Sequence, residues 1–123
     1  MIWSAIGAGL MALGVMLGAF GAHALKERLD AYSLDVYQKA VFYHFVHALG
    51  ILIVSTLLRT GAITASACAT VCALLLGGIV LFSGSLYLLA VTGSRGLGAV
   101  TPFGGLAFIA AWLLLAYHLL RAK

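Results

Sequence analysis

Four stretches of this chain, residues 2–24, 36–58, 64–92 and 102–120, are almost wholly apolar. Each approaches or exceeds the ~20 residues that an α-helix needs to cross the hydrocarbon of a bilayer. Backbone N–H and C=O groups in lipid must be satisfied by the structure itself, which leaves helices or a closed barrel. Barrel strands would be about half as long and would alternate in hydropathy, so the segments dictate helices. The composition agrees: 64% of residues are hydrophobic and 8% are charged, whereas soluble domains average about 25% charged. Too few polar groups exist to coat a water-facing surface. Residues 1–123 therefore read as one integral membrane domain, an all-α membrane protein. Its short connections force an antiparallel four-transmembrane-helix bundle.

The residues between the segments support those boundaries. Lys26-Glu27-Arg28-Leu29-Asp30 is the only dense charge cluster. It reads as a polar connection or a short interfacial helix with Leu25, Leu29 and Tyr32 toward lipid. Ser33 is the expected N-cap of the second helix, with Asp35 in its first turn. Arg59-Thr60-Gly61 closes that helix, and Gly93-Ser94-Arg95-Gly96 closes the third. Thr101-Pro102 opens the fourth as a cap followed by a proline at the first helical position. Arg121-Ala122-Lys123 forms a snorkelling basic tail. Ala22-His23-Ala24 imitates a signal-peptidase site, but the preceding apolar run is long and carries no Lys or Arg, so a retained membrane helix is expected. The net charge of +4 is scattered over loops. That is no nucleic-acid footprint, which needs a clustered basic face; it suits contact with anionic lipid headgroups. Basic residues divide almost evenly between the two sides and leave the orientation open.

Threading the bundle brings distant polar residues to one height. GAFGAHALK (18–26), YHFVHALG (43–50), FSGSLYLLA (82–90) and TPFGG (101–105) all fall in one leaflet. The other leaflet keeps Ser55, Cys68, Cys72 and His118. His44 and His47 lie roughly 8 and 12 Å inward from Lys39, and Ser85 and Ser83 lie at a matching depth. At about 100° per residue, Tyr37, Ala40, His44, His47, Ala48, Ile51 and Ser55 share the protein-facing side of the second helix. Phe42, Phe45, Val46, Leu49 and Ile53 take the lipid side. Ser83 and Ser85 point almost oppositely and do not serve one ligand together. On the first helix, Gly7, Gly14, Gly18 and Gly21 form a stripe that admits close backbone approach, with Gly14–Gly18 a GxxxG. Gly84 and Gly104 give similar room. Ala5, Ala8, Ala12 and His23 fall on a different face, so this helix offers one packing face to the bundle and another to a second subunit.

GAFGAHALK, the Ala40–Leu49 stretch, FSGSLYLLAVTG (82–93) and LGAVTPFGG (97–105) resemble, in that order, blocks of the YgdD/YwdK-like family of small membrane proteins, domain-of-unknown-function family 423, with TMEM-type relatives in eukaryotes. The resemblance spans essentially the whole chain. It matches at Gly18, Phe20, Gly21, His23, His47, Ser83, Gly84, Ser85, Tyr87, Thr101, Pro102 and Gly104. It implies a four-helix protein of the bacterial cytoplasmic (inner) membrane without an established activity. In that family glutamine is common at the position of His44, so the His44/His47 pair is not expected to be a shared device.

The chemistry available to these residues is narrow. Metal would need three or four ligands; only His23 joins His44 and His47, at a different depth, so no metal and no cofactor are expected. Haem would need a second ring from another subunit. A Ser83 or Ser85 with His47 lacks an orienting acid. No phosphate loop is present. Cys68 and Cys72 read as buried small hydrophobes. His47 is expected to donate to a serine or carbonyl on a neighbouring helix, His23 to sit at the end of the first helix, and His118 to anchor at the far interface.

The expectation is a non-enzymatic membrane protein, a homo-oligomer or part of a larger membrane complex, in contact with lipid. Its binding or interaction pocket would comprise His23, His44, His47, Ser83, Ser85, Tyr87, Thr101 and Pro102. The alternatives are a small-solute or proton transporter or channel, and a quinone- or haem-binding redox subunit.

Overall fold

The structure, a computed structural model, describes residues 1–122. Lys123, the end of the expected basic tail, lies outside them. Helix α1 runs Ile2–Phe20 and continues through a π-helical turn, Gly21–Leu25. Helix α2 is Ala31–Arg59. The third span joins α3 (Ala65–Gly78), a π-helical turn (Ile79–Ser83) and α4 (Gly84–Thr92). A 3₁₀ turn, Arg95–Ala99, leads into α5, Thr101–Arg121. These make four continuous helical stretches long and apolar enough to cross a bilayer.

Paired positions show the topology directly. A Cβ placed on Gly7, Gly14, Gly18 or Gly21 would meet Leu52, Phe45, Val41 or Tyr37 in turn. The ascending and descending numbers make α1 and α2 antiparallel. Cys68 faces the Val54 carbonyl, Cys72 that of Ile51, and Ser83 that of Ala40, which makes α2 and the third span antiparallel as well. Gly78 packs on Phe108 and Gly104 on Phe82, so α5 runs back along the third span. Helix α2 is the central element, packed against α1 on one side and the third span on the other.

The glycine stripe on α1 works as its spacing predicts, because each missing side chain is filled by one from α2. Gly104 is tighter still: a Cβ there would run into the backbone nitrogen of Phe82. Gly84 differs from expectation. Its nearest neighbour for a Cβ is the Ile79 carbonyl at 3.9 Å, an ordinary contact. Gly50, against the Trp112 ring, and Gly78 are close-packing positions without a sequence signature.

Three local expectations are corrected. Helix α2 starts at residue 31, not 36, because Asp30 caps it: its carboxylate accepts from Ser33 N at 2.7 Å. Aspartate caps as well as serine, and nothing in residues 31–35 opposes a helix. The stretch after Leu25 is a turn rather than an interfacial helix, and Leu25 is buried with Val36, Tyr37, Leu89 and Ala90. Thr101 lies inside α5 and makes no cap; its hydroxyl is drawn to Ser85 instead. Gly93 closes the third span as expected, in the left-handed region at φ 70°, where glycine escapes the Cβ penalty; Thr64, which the sequence did not mark, caps α3 by accepting from Ala67 N.

Candidate functional site

Of the expected polar layer, His44, Tyr87, Ser83, Ser85 and Thr101 are joined by hydrogen bonds between spans. At its centre is His44, 1% exposed. Its Nε2 lies 2.8 Å from the Leu10 carbonyl of α1, and its Nδ1 lies 3.0 Å from the Tyr87 hydroxyl of α4. A carbonyl only accepts, so the proton sits on Nε2; Nδ1 is then the acceptor for the Tyr87 O–H. One neutral ring thereby bridges three spans. Tyr37 Oη donates to the Leu17 carbonyl at 2.5 Å, a second link from α2 to α1.

The two serines part company as their helical angles require. Ser83, fully buried, donates to the Ala40 carbonyl of α2 at 2.8 Å. Ser85 donates to Phe82 O at 3.0 Å and meets Thr101 Oγ1 of α5 at 2.6 Å. Among the described residues, no buried side-chain nitrogen or oxygen lacks a partner. Within the layer, His44, Tyr87, Ser83, Ser85 and Thr101 take their hydrogen bonds from protein groups.

His47 does not bridge helices as expected. Its Nδ1 donates to the Tyr43 carbonyl one turn back in α2, at 2.7 Å. Its ring stacks on Phe108 of α5, with centroids 3.4 Å apart and planes within 9°. Tyr43, Phe82 and Trp112 complete an aromatic surround. The cross-span part assigned to His47 belongs to His44. Helical angles place both rings on the inner face but do not show which carbonyl each one meets. Phe82 and Phe108 carry no signal of their own in the sequence.

His23 and Pro102 are exposed and stand apart from the layer. The expected set therefore divides into His44 with Tyr87, Ser85 with Thr101, Ser83 on α2, His47 among aromatic rings, and two exposed residues. Beside the His44–Tyr87 pair, an apolar groove of about 250 Å³ opens between α1 and the third span, walled by Leu10, Leu13, Leu17 and Ile79. In the opposite half, Cys68 and Cys72 are buried free thiols with sulfurs 4.0 Å apart. Among the described residues no three His, Cys, Asp or Glu side chains converge.

Four apolar helices tied by an internal hydrogen-bonded layer define a small polytopic membrane protein. Comparison with known proteins places it further. Residues 17–105 match the family described as "Protein of unknown function (DUF423)". The chain is 46% identical over 110 residues to a UPF0382 membrane protein of Staphylococcus haemolyticus, covering 89% of this chain and 88% of the relative. It is 47% identical over 106 residues to one from Staphylococcus saprophyticus, covering 86% and 84%. It is 45% identical over 107 residues to the UPF0382 membrane protein YwdK of Bacillus subtilis, covering 84% and 83%. The chain belongs to this DUF423/UPF0382 family of membrane proteins. No solved structure matches it.

Proposed function

We propose that this protein is a non-enzymatic component of the bacterial cytoplasmic membrane that acts by associating with a second copy of itself. The observation that carries the reading is the outer face of α1. Gly7, Gly14 and Gly18 are spent on α2, yet Ala5, Ala8, Ala12 and Ala19 remain exposed. At 100° per residue these four lie within a stripe about 60° wide. Small residues on a lipid-facing helix let another helix approach closely, and packing rather than hydrophobicity drives association there. Two copies inserted in the same direction relate by an axis along the membrane normal, so the same face meets itself. The hydrogen bonding of the polar layer supports a register-fixing part for His44, Ser83, Ser85 and Thr101. These groups are engaged with one another rather than turned to a solute, which weighs against the transporter reading.

The test is the detergent-corrected mass of the purified protein, with Ala8→Leu and Ala12→Leu as variants. Both positions are exposed, so leucine fits the isolated chain. The expected result is a dimeric mass for the wild type and a monomeric one for the variants. A monomeric wild type at all protein-to-detergent ratios contradicts the reading.

One observation favours a second reading, binding of an apolar ligand such as a quinone: the groove beside His44 and Tyr87 is apolar apart from that pair. Quinone recovered from the purified protein, and lost in Leu13→Trp, would support it. A quinone-free preparation disposes of it.

A further inference from the structure

At the end of the bundle that carries the polar layer, α2 begins and α4 ends side by side. Two adjoining cavities of about 280 and 150 Å³ open there, and Tyr32, Leu89 and Arg95 line both. Asp30 and Ser33 complete the smaller one, and Gly98 the larger. The walls hold one cation and one anion that do not neutralise each other. Among the described residues, the only ion pair within 4.0 Å is Lys39–Asp35 on the surface of α2.

Local structure places both residues at this end of the bundle. Asp30 accepts from Ser33 N through Oδ1 as the cap of α2, which leaves Oδ2 open to a ligand. That backbone hydrogen bond holds its carboxyl below the usual carboxylate range. Asp30 is thus anionic at neutral pH. Arg95 starts the 3₁₀ turn that comes after the left-handed Gly93. Arginine brings a planar guanidinium fork with donors in a fixed geometry.

We infer that this recess is a binding site for a zwitterionic phosphoethanolamine headgroup, supplied by a membrane lipid. The guanidinium fork of Arg95 takes the phosphate, the geometry arginine matches best. The free oxygen of Asp30 takes the primary ammonium. Tyr32 presents an amphipathic ring to the headgroup level, the usual place of tyrosine at a bilayer interface. The site lies where two spans leave the hydrocarbon, so acyl chains attached to the phosphate run down into lipid. Phosphatidylglycerol would satisfy Arg95 but leave Asp30 facing a neutral hydroxyl headgroup. Phosphatidylcholine carries a quaternary ammonium with no N–H to donate and greater bulk. Phosphatidylethanolamine satisfies both walls.

The test is native mass spectrometry of the full chain, released from micelles containing equal amounts of the three lipids with identical acyl chains. The wild type is expected to retain phosphatidylethanolamine over each of the others by about threefold, in keeping with a partly exposed charge pair. Asp30→Asn preserves the helix cap, since asparagine caps as well as aspartate. It should abolish the preference while leaving phosphatidylglycerol bound. Arg95→Gln should lower retention of phosphatidylethanolamine and phosphatidylglycerol together. Free phosphoethanolamine at millimolar concentration should not displace the lipid; complete displacement would overturn the lipid assignment in favour of a soluble ligand. No preference in the wild type, or the same preference in both variants, overturns the site.

Discussion

The two halves of the bundle are held together differently. The half near residues 31–48 and 79–101 is tied by side-chain hydrogen bonds between spans: Tyr37 to Leu17, His44 to Leu10 and Tyr87, Ser83 to Ala40, and Ser85 to Thr101. The half near residues 51–75 is packed dry. Ile51, Val54, Val71, Cys72 and Leu75 have no exposed surface, and the one hydroxyl link between spans joins Ser4 to Ser55 at 3.0 Å. Burying an aliphatic side chain against another gains little over burying it in lipid tails. The dry half therefore contributes shape complementarity, but a slide of one helical turn would bring similar side chains together again. In the polar half the same slide breaks every cross-span hydrogen bond. Register is set at one end of the molecule and filled in at the other.

The largest effect should come where packing and register meet. Gly104→Val places atoms on the Phe82 backbone, which cannot move aside as a flexible side chain would. A loss of about 3 kcal/mol or more is expected, read from the unfolding midpoint in mixed micelles. An unchanged midpoint would mean that α5 does not lie on Phe82.

His44→Ala comes next, at about 2 kcal/mol for two lost hydrogen bonds and the vacated volume. His44→Gln sharpens the comparison. A glutamine amide has one donor group for Leu10 O and one acceptor for the Tyr87 hydroxyl, so it should retain all but about 0.5 kcal/mol. Equal losses in the two variants would show that the ring matters for its shape and not for its hydrogen bonds.

In the dry half, Cys72→Ala should cost about 1 kcal/mol through the void that it leaves. Reaction of either cysteine with a membrane-permeant thiol reagent in the folded protein would contradict the sealed core. Ser83→Ala, the smallest change, should cost about 0.6 kcal/mol, the average for a hydrogen bond between membrane helices. If the thiol truncation proves cheaper than the hydroxyl truncation, packing matters even less in the dry half than described.

Much of this arrangement is legible in the sequence. Span number comes from the length of the apolar segments, and the glycine face of α1 and the buried face of α2 come from a period of about 100° per residue. The period holds on the first span as far as Gly21, which lies at the start of the π-helical turn and still packs on Tyr37. On the third span a π-helical turn, Ile79–Ser83, interrupts the regular helix, yet Cys72, Ser83 and Tyr87 still share the side that meets α2. Periodicity contains no sign of such a turn. Partner choice is likewise hidden: His44 and His47 share a face, yet one reaches two neighbouring spans while the other bonds within its own helix. That outcome depends on which carbonyls and rings stand opposite, information held by α1, α4 and α5 rather than by YHFVHALG. The start of α2 is obscured by two good caps in succession, Asp30 and Ser33, of which the first wins.

Disulfide mapping tests the shared register most directly. In a background with Cys68 and Cys72 replaced by alanine, Ser85→Cys with Thr101→Cys and Ser4→Cys with Ser55→Cys are introduced as separate pairs. Their hydroxyl oxygens lie 2.6 and 3.0 Å apart, one pair in each half of the bundle. Mild oxidation in native membranes should close both pairs, and the exchanged combinations, Ser4→Cys with Thr101→Cys and Ser55→Cys with Ser85→Cys, should stay reduced within the monomer. Closure of an exchanged pair, or failure of both native pairs, would contradict an antiparallel bundle with its hydrogen bonds gathered at one end.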